Sequence, residues 1–165
     1  MSHKSGIRID IPGFGPLTVD SMVSDYTGTL SLGGKVSVAV ERRLARLAEL
    51  MDIHILTADT FGTVRREVGH LPVTIHLLEP AQQDVQKQRF VAAMSTARVA
   101  AFGNGNNDRL LLAEVKSAGG LSIAVDNGEG CAVETLLAAS LLVTGAGNAL
   151  DLLLEPDRLK ATLRF

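Results

Sequence analysis

The stretch Ser24-Asp25-Tyr26-Thr27-Gly28-Thr29-Leu30 decides how this chain is read. It follows the short apolar run Ser21-Met22-Val23, which is of strand length. A carboxylate at the end of a buried strand, followed by a Gly-containing turn, is placed to attack an electrophile such as phosphorus. The same residues also suit a plain Asp-initiated turn. Downstream, apolar segments at 53–56, 73–75, 99–102, 121–125 and 141–143 are again of strand length. They alternate little, as strands covered on both faces do. Helical patterns lie between them. Val40, Leu44, Leu47 and Met51 form an apolar stripe at spacings of four, three and four. Further stripes are Phe90, Val91 and Met94, then Leu111, Leu112 and Val115. Residues 132–139 and 148–165 continue the series, the last interrupted at Pro156. Upstream, residues 6–18 turn about Pro12-Gly13-Phe14-Gly15-Pro16 and read as a hairpin.

Strands alternating with helices predict an α/β protein, a parallel sheet with helices on both faces. No repeat or Pro/Ser-rich linker divides it, so one domain over 1–165 is expected, a hairpin at about 6–18 and a core at about 19–165. In such sheets the chemistry lies beyond the carboxyl ends of the strands. After the second core strand comes Thr57-Ala58-Asp59-Thr60, where Thr57 either donates a hydroxyl to a phosphoryl oxygen or caps the following helix. Lys87, early in the helix that begins near Asp84, either neutralises a phosphoryl group or lies on a solvated face. The fourth core strand runs into Gly103-Asn104-Gly105-Asn106-Asn107-Asp108, whose glycines permit close backbone approach and whose Asp108 can hold a hard cation. A dinucleotide loop is the rival reading, but Asp108 stands where the third glycine belongs and would repel a pyrophosphate.

Taken in order, these segments resemble one family. Asp25-Tyr26-Thr27-Gly28-Thr29 resembles the DKTGT sequence of P-type ATPases, itself a version of the haloacid dehalogenase DxDGT. Thr57-Ala58-Asp59 resembles their TGD, Lys87-Gln88-Arg89-Phe90-Val91 their third-motif lysine segment, and Gly103 to Asp108 their GDGxND. The resemblance covers roughly 22–154. It implies a Rossmann-like three-layer haloacid dehalogenase fold and a phosphohydrolase that works through an aspartyl-phosphate on Asp25. The implied catalytic residues are Asp25, Thr27, Thr57 and Lys87. Phosphate would be bound by Asp25, Thr57, Ala58 and Lys87, and Mg²⁺ by Asp25, the Thr27 carbonyl, Asn104 and Asp108. A response-regulator receiver also uses Asp, Thr and Lys, but its phosphoacceptor lies on the third strand after an acidic pair, an order this chain lacks.

Two departures temper the activity. Thr27 stands where ordinary phosphatases of this superfamily carry an acid, and a threonine is no general base near neutral pH; such help is commonly worth about 10²–10⁴-fold. Slow hydrolysis is expected. Asn104 replaces an acid at the cation site, which lowers metal affinity. The alternatives are a weakly active or inactive scaffold serving as a binding or regulatory protein, or transfer to an acceptor other than water. Only 26 residues separate Leu30 from Thr57, so no substantial cap fits and the fold is expected to be capless. The Gly33-Gly34 turn either projects a small hairpin for oligomerisation, which implies a homo-oligomer, or is a plain surface turn.

Composition narrows the partners. A net charge of −2 offers no attraction for nucleic acid or anionic membrane, and the apolar run at 136–143 is too short to span a bilayer. The opening residues 1–5 lack the apolar core of a signal peptide, and the one cysteine, Cys131, has no internal partner; a cytoplasmic setting is expected. Cys131 reads as a buried structural thiol and His54 as a satisfied core residue. His3, His70 and His76 share no metal-ligand spacing with each other or with Cys131. Arg65 and Arg66 either face a substrate or are surface charges. The expected partner is a phosphorylated substrate whose identity no motif encodes.

Overall fold

The computed structural model describes residues 4–59 and 62–165; His3 and Thr60 lie outside the described residues. Strands β1 (Ile7–Ile11) and β2 (Gly15–Val19) pair antiparallel as the expected hairpin, with Ile7 opposite Val19. Six further strands form a wholly parallel sheet: β3 (Ser21–Asp25), β4 (Asp52–Thr57), β5 (Thr74–Leu77), β6 (Val99–Gly103), β7 (Leu121–Asp126) and β8 (Leu141–Thr144). Their spatial order is β5-β4-β3-β6-β7-β8. The chain thus starts at the centre, moves outward through β4 and β5, and returns to the far side of β3. The loops leaving β3 and β6 diverge there, and that switch point is where open α/β sheets hold ligands.

Helices α1 (Val38–Leu50), α2 (Val64–Val68), α3 (Gln83–Ala92), α4 (Arg109–Ser117), α5 (Val133–Ala138), α6 (Ala146–Leu154) and α7 (Pro156–Leu163) complete the α/β layers. On one face Val40, Leu44 and Leu47 of α1 and Leu150 and Leu153 of α6 pack with Met22, Ile53, Ile55 and the hairpin residues Ile11 and Leu17. On the other, Val91 of α3 and Leu111, Leu112 and Val115 of α4 pack against Val23, Leu56 and Ala101. Burial of both sheet faces explains the unbroken apolar strands. Ser37 caps α1, its Oγ accepting from the Val40 N–H at 3.3 Å. Pro156 opens α7 as its first residue, where the missing N–H costs nothing, so the expected interruption is a boundary between two helices.

Between β3 and β4 lie only α1 and a turn. Leu32 and Lys35 form a single antiparallel bridge about Gly33-Gly34, so this is a tight surface turn and not a projecting hairpin. The Tyr26 hydroxyl donates to the Gly34 carbonyl at 2.8 Å and fastens the turn beneath the strand end. The sheet is capless, and among the described residues no helix is long and apolar enough to cross a membrane.

Candidate active site

Asp25 is the last residue of β3, in the middle of the sheet, and is only 6 % exposed. Lys87, 62 residues further on, reaches it from α3: Nζ lies 2.7 Å from Asp25 Oδ1 and 2.6 Å from Asp108 Oδ1. One ammonium thus serves two buried carboxylates. Burial, reinforced by the negative charge of Asp108, pushes the Asp25 carboxyl up to about 6 despite the pull of Lys87. Burial also opposes the charge of Lys87, yet Asp108 and Asp25 outweigh it and hold the ammonium above the ordinary lysine range. Both shifts favour holding protons, as expected where anions outnumber cations.

The position of α3 makes this possible. Gln86 Oε1 accepts from the Glu79 N–H, while its Nε2 donates to the carbonyls of Glu79 and Ala81, closing the loop that enters the helix. Asn107 Nδ2 donates to Gln83 Oε1 and Gln88 Nε2 to Glu114 Oε2, tying α3 to the glycine-rich loop and to α4. Lys87 and Val91 therefore face inward one turn apart.

In the 103–108 loop, Asp108 is fully buried and both its oxygens are partnered. Oδ1 meets Lys87, and Oδ2 accepts from the N–H groups of Asn104 and Gly105 at 2.9 and 3.0 Å. Gly103 is required here, since a Cβ would lie 2.4 Å from Asp108 Cβ. Asn104 Oδ1 accepts from the Thr29 hydroxyl at 3.0 Å, and the same hydroxyl lies 3.2 Å from Asp25 Oδ2. Thr29 thus spans the nucleophile candidate and the loop. The motif resemblance assigns Thr29 no role; its place four residues after Asp25, beyond a glycine turn, is the signal for it in the chain.

Thr57 ends β4, 3 % exposed, and Ala58 follows half-buried. Thr57 Oγ1 accepts from the Asp59 N–H at 2.9 Å, leaving its own proton free to donate. The capping role weighed for Thr57 belongs to Asp59, whose Oδ1 accepts from the N–H groups of Thr63 and Val64 at the start of α2. Asp59 adopts φ +49°, which aims that carboxylate at the helix. Thr27 is half-buried in the turn after Asp25.

The other candidates lie elsewhere. Arg65 and Arg66 are exposed on α2. Cys131 is half-buried, which corrects the expectation of a buried thiol, and burial pushes its pKa up. His54 is also half-buried and not a core residue; its Nδ1 lies 3.1 Å from Nε2 of His76, with the Phe90 ring against both. Among the described residues no three His, Cys, Asp or Glu side chains form a metal-binding group. A cavity of about 470 Å³ lined by Phe14, Lys116, Ser140 and Arg164 contains none of the site residues.

A parallel sheet in this strand order, with an aspartate ending its central strand, defines the class: the chain has the fold of the haloacid dehalogenase superfamily. It resembles a putative subfamily IIIA hydrolase of that superfamily from Legionella pneumophila with a TM-score of 0.67 and 20 % identity, covering 88 % of this chain and 86 % of that one. The cobalt-bound deoxy-D-mannose-octulosonate 8-phosphate phosphatase of Haemophilus influenzae gives 0.64 and 14 %, covering 89 % and 94 %. The 3-deoxy-D-manno-octulosonate 8-phosphate phosphatase of Moraxella catarrhalis, in complex with magnesium ion, phosphate ion and KDO, gives 0.62 and 17 %, covering 88 % and 94 %. In sequence, the chain is 48 % identical over 67 residues to the uncharacterized protein MJ0073 of Methanocaldococcus jannaschii, 41 % of this chain and 68 % of that protein, and it belongs to the same family. No protein-family model matches the chain.

Proposed function

We propose that this protein is a Mg²⁺-dependent phosphohydrolase of haloacid dehalogenase type, of low turnover, acting through an aspartyl-phosphate on Asp25. The observation that carries this reading is the Lys87 ammonium held between Asp25 and Asp108 at the sheet's switch point. Asp25 is buried, fixed by Lys87 and Thr29, and ends a central strand, so its carboxylate is oriented before any substrate arrives.

The donor set fits a hard divalent cation. It consists of oxygens alone, from the Asp25 carboxylate, the Thr27 carbonyl, the Asn104 amide and Asp108, and two carboxylates facing one ammonium leave negative charge to be balanced. When bound there, Mg²⁺ would balance that charge and screen the phosphate from the carboxylates. An Asp25 oxygen attacks phosphorus; the bond to Asp25 forms as the bond to the leaving oxygen breaks. Thr57 donates a hydroxyl hydrogen bond to the phosphoryl oxygens, and Lys87 lends them its positive charge, as charge accumulates. Water then cleaves the aspartyl-phosphate, releasing inorganic phosphate and restoring the carboxylate. Thr27 offers that water no base, which slows the second step and favours a persistent phosphoenzyme. The same feature supports the second reading, transfer of the phosphoryl group to an acceptor other than water. The substrate is a phosphorylated molecule, and a cytoplasmic setting accords with the lone cysteine.

Phosphoenzyme trapping tests the proposal. With Mg²⁺ and beryllofluoride or acetyl phosphate, wild type should show an adduct by intact mass or a rise in melting temperature, and Asp25→Asn should show neither. No adduct and no Mg²⁺ binding at millimolar concentration would sink it and leave a binding or regulatory scaffold.

A further inference from the structure

Of the negative charge assigned to the cation, part is already offset by the Lys87 ammonium. Asn104 is neutral. Asp108 has both oxygens partnered by Lys87 and two backbone N–H groups, and Asp25 shares its own between Lys87 and Thr29. A further carboxylate arrives from the loop after β7. Glu129 Oε1 accepts from the Gly33 N–H at 2.6 Å, while Oε2 makes no hydrogen bond among the described residues. A Cβ on Gly28 would stand 2.5 Å from Asn104 Nδ2 and 3.2 Å from Glu129 Oε2, so amide and carboxylate converge on one side of the motif-one turn.

The loop that carries Glu129 is held in place. Asp126 Oδ1 accepts from the N–H groups of Gly128 and Gly130, the Ala132 N–H donates to the Asn104 carbonyl at 2.7 Å, and Asn104 Nδ2 donates to the Gly130 carbonyl at 3.2 Å. This arrangement also accounts for the amide at position 104. A carboxylate there would face the Gly130 carbonyl with no proton to offer and would stand beside the Glu129 carboxylate, whereas the neutral Asn104 amide donates its Nδ2 to the Gly130 carbonyl and adds no repelling charge.

We propose that Glu129 is a positioning residue that supplies toward the divalent cation the negative charge absent at Asn104, the acid having moved from the glycine-rich loop to the loop after β7. The inference rests on the reading of Asp25 and its neighbours as a Mg²⁺ site. Its test uses the full chain and Mn²⁺ as probe, followed by electron paramagnetic resonance, with melting temperature against Mg²⁺ concentration as a second readout. Glu129→Gln keeps an acceptor for the Gly33 N–H and removes only charge. It should melt as wild type without metal and bind Mn²⁺ about tenfold or more weakly; adding Asn104→Asp to Glu129→Gln should restore most of the loss. Mn²⁺ affinity within about twofold of wild type in Glu129→Gln, with binding lost in Asp25→Asn, would overturn this inference and leave the Mg²⁺ site standing. No Mn²⁺ binding by wild type would remove the site itself, and this inference with it.

Discussion

Lys87 Nζ lies 2.7 Å from Asp25 Oδ1, and the same ammonium lies 2.6 Å from Asp108, so a single buried cation is shared by a carboxylate that ends β3 and one in the loop after β6. That ratio sets the electrostatics of the whole site. Burial first, and then the charge of Asp108, raise the pKa of Asp25; the surplus carboxylate makes Lys87 stabilising and leaves room for a further positive charge.

Replacing Lys87 should therefore damage stability as well as chemistry. Lys87→Met leaves two buried carboxylates without a cation, and breaking a buried pair costs about 3–5 kcal/mol. Urea unfolding at pH 8 should show a loss of this order. The deficit should shrink toward pH 5, where Asp25 takes up a proton and the repulsion is relieved.

Asp25→Asn should act in the opposite direction. The carboxyl titrates near 6 in the folded protein against 3.8 ordinarily, so between these values the folded state holds the extra proton. The contribution of Asp25 to stability is thus most favourable below pH 3.8 and falls as pH rises toward 6. Removing its charge should raise stability at pH 8 by an amount on the order of 3 kcal/mol, with no gain at pH 4. Chemical denaturation of both proteins without Mg²⁺ measures the difference.

Gly28 is held at φ +77° with Asn104 and Glu129 against its α-carbon. Gly28→Ala meets both a strained backbone and a contact at 2.5 Å with Asn104 Nδ2. A loss of about 1–3 kcal/mol is expected, together with weaker beryllofluoride trapping as Asn104 is displaced. Gly33→Ala is the control: it shares the positive φ, but its Cβ meets nothing within 4 Å, so trapping should persist.

The His54–His76 pair should give the protein a second, opposite pH dependence. Burial lowers both imidazole pKa values below 6.5, and for His54 the neighbouring His76 adds to it, while Asp52 pulls up and Lys4 down. The unfolded chain then binds more protons as pH falls, so this contribution is full above pH 6.5 and lost below it. In an Asp25→Asn background, where the competing slope is gone, stability should decline from pH 7 to 5.5. His76→Gln should flatten that decline; an unchanged slope would rule the pair out as its source.

The parts of the protein set by local pattern were legible in the chain itself. Apolar runs of strand length, Val40-Leu44-Leu47-Met51 at helical spacing and the glycines about Asp25 and Asn104 define the α/β layers, because backbone periodicity and turn chemistry are properties of neighbouring residues. Asp25, Thr57, Lys87 and the 103–108 loop were recognisable because strand ends and motif order are local too. Tertiary structure alone decided what those residues meet. Lys87 lies on a helix whose other residues, Val91 apart, are exposed or half-buried, and only the return of the chain to the far side of β3 brings Asp108 over to meet it. Thr29 and Asn104 are 75 residues apart, and Glu129 and Gly33 are 96. No spacing rule relates them, since their distance depends on strand order rather than on sequence separation. Asp59, not Thr57, caps α2 because a left-handed backbone turns its carboxylate toward the helix. The sequence determined which groups stand at the strand ends; the sheet's crossover decided that one cation must serve two anions.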